Sequence, residues 1–402
     1  MAKALFVVLD GLGDRGVKTP LSEAKTPNLD KLTPSASLGL MYTLGPGQIP
    51  GSDTAHLALF GYDPHTYYPG RGPFEALGAG MELRTGDVSF RVNLCTLDEK
   101  GTIVDRRAGR AAYGLDKIFQ TLDGTKIGDV TVRMVHTVEH RGAGVLSGPG
   151  LSAAVSNTDP HETGQPVAEA KPLDSSAEAR KTAKALNDFT AKARELLADH
   201  PVNLERKEKG LKPANMAVLR GPGLYQQVPS LVDRFGLKAV CVAGGALYKG
   251  VASYVGMKVL DVAGATGTTE TDLKAKAQAA VKARDEADLI FVHIKGTDAG
   301  GHDGNFEVKR KMIERVDAEF LPGVLGQFDV VVLTGDHSTP VAAKRHTADA
   351  PPVLFWSETC RPDGAKRFTE LAAGHGCLGQ FTGTELMHFI LDYIDKGHMF
   401  GE

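Results

Sequence analysis

A chain of 402 residues, 42% hydrophobic and 24% charged, has room for two domains with their own cores and the composition of a soluble globular protein. Its formal net charge of −3 excludes generic affinity for nucleic acid or for an anionic membrane. Four cysteines (Cys95, Cys241, Cys360 and Cys377) without CxxC spacing exclude a disulfide framework and a zinc knuckle, and suit thiols in a reducing cytosol. The first apolar run, ALFVVL, is too short for the core of a signal peptide, and no other run approaches membrane-spanning length, so the expected location is the cytoplasm.

In chain order, residues 4–9 read as a central strand of a parallel sheet, because both faces are apolar, and they deliver Asp10 at its carboxyl end. Gly11, Gly13 and Gly16 then match GxGxxG. A dinucleotide loop must open directly into a helix, whereas here VKTP intervenes and no acidic strand end follows at the required distance. The glycines instead let the backbone turn tightly around whatever Asp10 holds. Thr26 and Pro27 mark a helix start. A glycine- and proline-rich loop, GPGQIPG, leads to Ser52 and a helix through AHLALFGY, which puts Ser52 where backbone N–H groups and the helix dipole favour a phosphate. A serine there is most often only a cap. Its company changes that reading.

From about residue 80 to 160 the pattern turns to short β-like segments, read as a smaller α+β domain inserted into the first. Arg91, Asn93, Arg106, Arg107, Arg110, His136, His140 and Arg141 lie there, and one or two arginines aimed across a cleft would clamp an anion. Asp159 and His161 lie in a polar loop. Residues 175–199 form the clearest amphipathic helix and lead back to the main domain. The expected division is therefore 1–68 with 200–402 as the main domain and 69–199 as the insert.

Strand and helix patterns then alternate through NMAVLRGPG, KAVCVAGG, KVLDV and DLIFVHIKG. Lys249 follows a strand end and is a candidate phosphate contact, while His293, inside a strand, is a core residue. Asp298 and His302 stand side by side if their turn is helical. The stretch VVLTGDH ends a buried strand with Asp336 and His337, where open α/β sheets place their ligands, and His346 follows in a loop. Asp10, Ser52, Asp298, His302, Asp336, His337 and His346 together carry the oxygen and nitrogen ligands of two neighbouring metal ions.

The segments VVLDGLGD, TPLSEAKTPNLD, PGSDTAHLALFGYDP, GRGPFEALGAG, HIKGTDAGGHDG and TGDHSTP, spread in order over nearly the whole chain, resemble the alkaline phosphatase superfamily and, within it, the archaeal-type 2,3-bisphosphoglycerate-independent phosphoglycerate mutases. The resemblance implies an α/β fold with an alkaline-phosphatase-like mixed sheet flanked by helices, carrying an inserted smaller α+β domain that clamps substrate. It implies Ser52 as the nucleophile that becomes phosphoserine, one divalent ion on Asp10, Ser52, Asp336 and His337, and a second on Asp298, His302 and His346. Manganese is the first expectation for the metal, with zinc, cobalt or magnesium also compatible, and no bisphosphoglycerate is needed. Asn93, Arg141, Asp159, His161 and Lys249 are the implied contacts to a small phosphorylated substrate. The implied reaction interconverts 3-phosphoglycerate and 2-phosphoglycerate in glycolysis and gluconeogenesis; a homoserine-kinase-like phosphotransferase or a phosphatase of the same superfamily would keep the metal residues and change the substrate groups.

Overall fold

The computed structural model describes residues 2–399 and 401. The chain forms two compact units, Met1–Tyr68 with Val228–Glu402, and Pro69–Gln227. Its strands are β1 (Ala4–Leu9), β2 (Ser37–Tyr42), β3 (Val88–Leu97), β4 (Ile103–Asp105), β5 (Thr125–Ile127), β6 (Val130–His136), β7 (Arg141–Ser147), β8 (Met216–Leu224), β9 (Ala239–Val242), β10 (Lys258–Leu260), β11 (Leu289–Ile294), β12 (Val330–Thr334), β13 (Pro352–Ser357) and β14 (Gly379–Thr382).

The larger unit is built on one mixed sheet, ordered β10-β9-β11-β1-β12-β13-β2-β14. Strand β1 lies inside it, parallel to β11 on one side and to β12 on the other, while β13 runs antiparallel to β12 and β2. All six residues of β1 are buried, as a strand covered on both faces requires. Leu5, Val7 and Leu9 share a core with Leu273, Ala277 and Ala280 of the helix Leu273–Ala283. On the other face Phe6 meets Phe291 edge to face, and Phe291 meets Phe60 at the end of the helix Ser52–Leu59. Burying each such side chain contributes about 1.5–3 kcal/mol. The registers Leu9↔Ile294 and Val8↔Thr334 bring the carboxyl ends of β1, β11 and β12 level, so the residues that follow these strands emerge together at one edge.

The smaller unit has an antiparallel sheet, β4-β3-β7-β6-β5, with β8 added on β3. Its core gathers Phe90, Val92 and Leu94 with Phe119, Leu186 and Phe189, the last two from the 22-residue helix Ala177–Ala198 capped by Ser176. A mixed α/β sheet flanked by helices, interrupted by an α+β unit, is the fold class read from the sequence. The return of the chain is corrected: it falls at Val228, not at residue 200. The apolar run NMAVLRGPG reads equally well as a strand of either unit. Long-range pairing with β3, from Val88↔Leu224 to Cys95↔Met216, assigns it to the smaller one. Strands β2 and β14, and the helix Pro201–Glu208, have no strong periodicity and were not anticipated.

Candidate active site

Three loops that leave the level strand ends carry the candidate ligands. Asp10 follows β1, Lys295 and then the helix Gly296–Asp303 follow β11, and Asp336 with His337 follow β12. The Gly296–Asp303 turn is helical, so Asp298 and His302 do lie side by side, with His302 Nε2 3.4 Å from Asp298 Oδ1. Small residues are required here: a Cβ on Gly301 would meet the Thr339 carbonyl at 2.4 Å, and one on Gly11, at φ 64°, would approach the Asp298 carboxylate. Ser52 is the first residue of its helix, 8% exposed, with Oγ 3.2 Å from His337 Nε2.

Proton placement at the three candidate imidazoles follows from their other nitrogens. His346 Nδ1 lies 2.8 Å from the Pro50 carbonyl and His302 Nδ1 3.2 Å from the Lys344 carbonyl; a carbonyl only accepts, so both Nδ1 atoms carry hydrogen. The Thr339 hydroxyl donates to Asp298 Oδ1 at 2.8 Å and therefore accepts from His337 Nδ1 at 3.1 Å. In neutral rings all three Nε2 atoms are then bare lone pairs. Those of His302 and His346 face Asp298 Oδ1 at 3.4 and 3.6 Å, and that of His337 faces Asp336 Oδ2 at 3.2 Å and Asp10 Oδ1 at 3.5 Å. Lone pairs converging on carboxylate oxygens with no proton between them call for a cation. The donors fall into two compact groups, Asp10 with Asp336 and His337, and Asp298 with His337 and His346. His337 thus faces both groups, and His302 borders the second through Asp298. Asp336 Oδ2 is buried and makes no hydrogen bond, as suits an oxygen kept for a metal. The residues fit divalent ions.

The electrostatics register the excess of negative charge that a cation would offset. Burial works against a charge on His337, but Asp336, Asp10 and Asp298 outweigh it and hold its pKa above the usual value. Burial and the neighbouring His337 push His346 down. Burial would raise Asp10, yet Lys295, His293 and His337 hold it well below the carboxylate range. His293, read from the sequence as a core residue, touches the site: its Nε2 donates to Asp10 Oδ2 at 3.0 Å, and burial lowers its pKa to about 4, so it is a neutral donor. Tyr248 stacks on it with ring centroids 3.5 Å apart. His56, fully buried, donates from Nδ1 to the Ser52 carbonyl at 2.7 Å and so fixes the first turn of the serine's helix. His293 is brought to the site by strand register, Tyr248 by the helix Ala246–Tyr254, and His56 by the serine's own helix, where its closeness to Ser52 in sequence makes it worth watching.

The smaller unit assembles a different site. Asp159 takes both its oxygens to Arg106 Nη2 at 3.1 and 3.0 Å, accepts from the His161 backbone at 2.9 Å and lies 3.4 Å from Asn93 Nδ2. Arg141 pairs with Asn93 across β3 and β7, and Arg220 pairs with Arg91 across β3 and β8, which sets all four on neighbouring positions of one face. Burial, followed by Arg220, Arg71 and Arg141, lowers the pKa of Arg91 to about 10, with Glu75 alone opposing them. Arg220 was missed because its place in this group depends on β8 joining β3, and Arg71 because it enters from the first turn of the helix Arg71–Gly78. The His161 ring is exposed, 3.4 Å from Asn157 Nδ2. Lys249 lies inside the helix Ala246–Tyr254 and pairs with Asp261 at 2.7 Å.

Fold and site define a class: α/β enzymes that gather Asp, His and Ser donors at the carboxyl edge of a mixed sheet. Residues 34–203 match the family described as 2,3-bisphosphoglycerate-independent phosphoglycerate mutase. A protein of that name from Ignicoccus hospitalis is 47% identical over 413 aligned residues, covering 99% of each chain, and one from Methanocaldococcus jannaschii is 42% identical over 407, again 99% of each. Among solved structures, a Pyrococcus horikoshii protein superimposes with a TM-score of 0.85 at 36% identity over 100% of this chain and 99% of the other. The cofactor-independent phosphoglycerate mutase of Thermoplasma acidophilum gives 0.74 at 36% identity, over 98% and 100%. The chain belongs to the family of 2,3-bisphosphoglycerate-independent phosphoglycerate mutases, isomerases that act on a small phosphorylated substrate. Among the described residues no helix is long and apolar enough to cross a membrane.

Proposed function

We propose that this chain interconverts 3-phosphoglycerate and 2-phosphoglycerate through a phosphoserine at Ser52, with two divalent ions held by Asp10, Ser52, Asp336 and His337 and by Asp298, His302 and His346, and that it does so in cytoplasmic glycolysis and gluconeogenesis. The observation that carries the reading is the convergence of three imidazole lone pairs on carboxylate oxygens beside a serine at a helix amino terminus. Bound there, divalent ions, manganese first among them, would lower the pKa of the serine hydroxyl and neutralise phosphoryl charge. The chain supplies the rest. The Ser52–Leu59 helix directs its free N–H groups and positive end at an anion on Ser52 Oγ, and His56 keeps that turn in place. His293 and Thr339 orient Asp10 and Asp298 by hydrogen bonds. Asn93, Arg141, Asp159 and His161, with Arg71, Arg91 and Arg220, would recognise the substrate's carboxylate and hydroxyls, the guanidinium groups matching a carboxylate in shape. Lys249, already paired with Asp261, would contribute only by exchanging that exposed carboxylate for a phosphate.

The deciding assay adds Mn²⁺ and 3-phosphoglycerate without bisphosphoglycerate and reads 2-phosphoglycerate through enolase, with Ser52→Ala beside the wild type. Product that disappears in the variant is the expected result. Release of inorganic phosphate in place of 2-phosphoglycerate would overturn the mutase reading.

A further inference from the structure

Lys295 stands between the two ligand groups. Its Nζ lies 3.1 Å from Asp10 Oδ1 and 2.5 Å from Asp298 Oδ2, one carboxylate from each group. Several features pin the ammonium. The residue joins the end of β11 to the helix Gly296–Asp303, the Tyr248 ring centroid lies 5.7 Å from Nζ, and the two carboxylates fix two of its three N–H directions. The third N–H has no partner among the described residues. The side chain is nevertheless 25% exposed, so an incoming molecule can reach it. A lysine that served only to neutralise the carboxylates would gain from being closed off; this one keeps a donor open beside both groups and near the nucleophile's partner His337.

We propose that Lys295 is a further catalytic residue, a third fixed cation that donates its remaining N–H to an oxygen of the phosphoryl group while that group is held at Ser52. The proposal rests on the two-ion reading above and adds to it a ligand contact that neither ion makes. A rigid ammonium beside two metal ions suits a dianionic phosphoryl group better than a neutral hydroxyl or a monoanion, because only the phosphoryl group has an oxygen for each cation.

The test measures binding, with no turnover. Mn²⁺ uptake and then inorganic phosphate binding to the Mn²⁺-loaded protein are followed by calorimetry for the wild type, Lys295→Met and Lys295→Arg. The expected result is two Mn²⁺ per chain in all three, phosphate binding about 10-fold or more weaker in Lys295→Met, and a smaller loss in Lys295→Arg, which keeps the charge. Equal phosphate affinity in Lys295→Met and wild type overturns the proposal. Loss of Mn²⁺ stoichiometry in the variants alone also overturns it, because the lysine would then act only on the ligands. Should Lys295→Met fail to fold, Lys295→Arg decides: phosphate affinity falling as far as when a charge is deleted would show that charge at this point is not what binds. A wild type that takes up no Mn²⁺ fails the two-ion reading itself, an outcome distinct from the other two.

Discussion

At the sheet edge of the larger unit acceptors outnumber donors: besides the bonds from Lys295 and His293, three Nε2 atoms face the oxygens of Asp10, Asp298 and Asp336. On the β3 face of the smaller unit the imbalance is reversed, with Arg71, Arg91, Arg141 and Arg220 crowding close enough to depress Arg91 and only Glu75 pulling the other way. The first arrangement suits cations and the second suits an anion. Buried lone pairs and half-buried like charges held close together cost stability, so each imbalance names the chemistry of the ligand that would offset it. The supporting interactions differ accordingly. Around the acceptor site every imidazole is oriented by its far nitrogen, to Pro50, Lys344 or Thr339, as metal ligands require. On the donor face strand register sets Arg91, Arg141 and Arg220 side by side, while Arg71 enters from the helix Arg71–Gly78 and pairs with Glu75 at 3.1 Å.

Substitutions that break one site and spare the other test this contrast. The largest effect belongs to Ser52→Ala, which removes the proposed nucleophile and should lower isomerisation by at least about 10⁴-fold while Mn²⁺ binding stays measurable by calorimetry. Next is metal removal. Dialysis against EDTA should abolish activity and lower the thermal unfolding temperature, and Mn²⁺ at about 100 times its Kd should restore about 2.7 kcal/mol of stability. Thr339→Val keeps shape and deletes the hydroxyl that bonds both Asp298 and His337, so Mn²⁺ affinity should fall about 10–100-fold. Arg220→Gln should leave Mn²⁺ binding unchanged and raise KM for 3-phosphoglycerate about 10-fold, kcat moving less, as expected of a group that binds substrate and transition state alike.

The smallest effect concerns His140 in the smaller unit. Burial, then Arg141, lowers its pKa to about 4, below the unfolded value of about 6.5. The unfolded chain therefore binds a proton that the folded one refuses, so stability is full above pH ~6.5 and declines as pH falls toward about 4. The denaturant midpoint of wild type should drop relative to His140→Gln across that window; parallel curves would show that this imidazole is not excluded from charging.

The residues of the acceptor site were legible one by one. Asp10, Asp298, Asp336 and His337 sit just beyond apolar runs, and the sheet rule that ligands gather at carboxyl strand ends is enough to expect them on one edge. His293, inside such a run, gave no signal that its ring would turn toward Asp10, because a buried strand shows the same apolar pattern on both faces. The donor face was half legible. Asn93 and Arg141 were named, but Arg220 could not be joined to Arg91 until β8 was known to pair with β3, and the same pairing moved the return of the chain to Val228.

The sequence by itself determined the fold class and pointed to the strand-end donors and Ser52 as candidates, since these depend on local patterns of burial and turn residues. Tertiary structure decided which donors share a site, that His337 faces both groups, and that Lys295 spans them. Those facts depend on strands more than 280 residues apart being set level: β1 takes its register from β11 and β12, and a shift of one residue would turn every side chain to the opposite face.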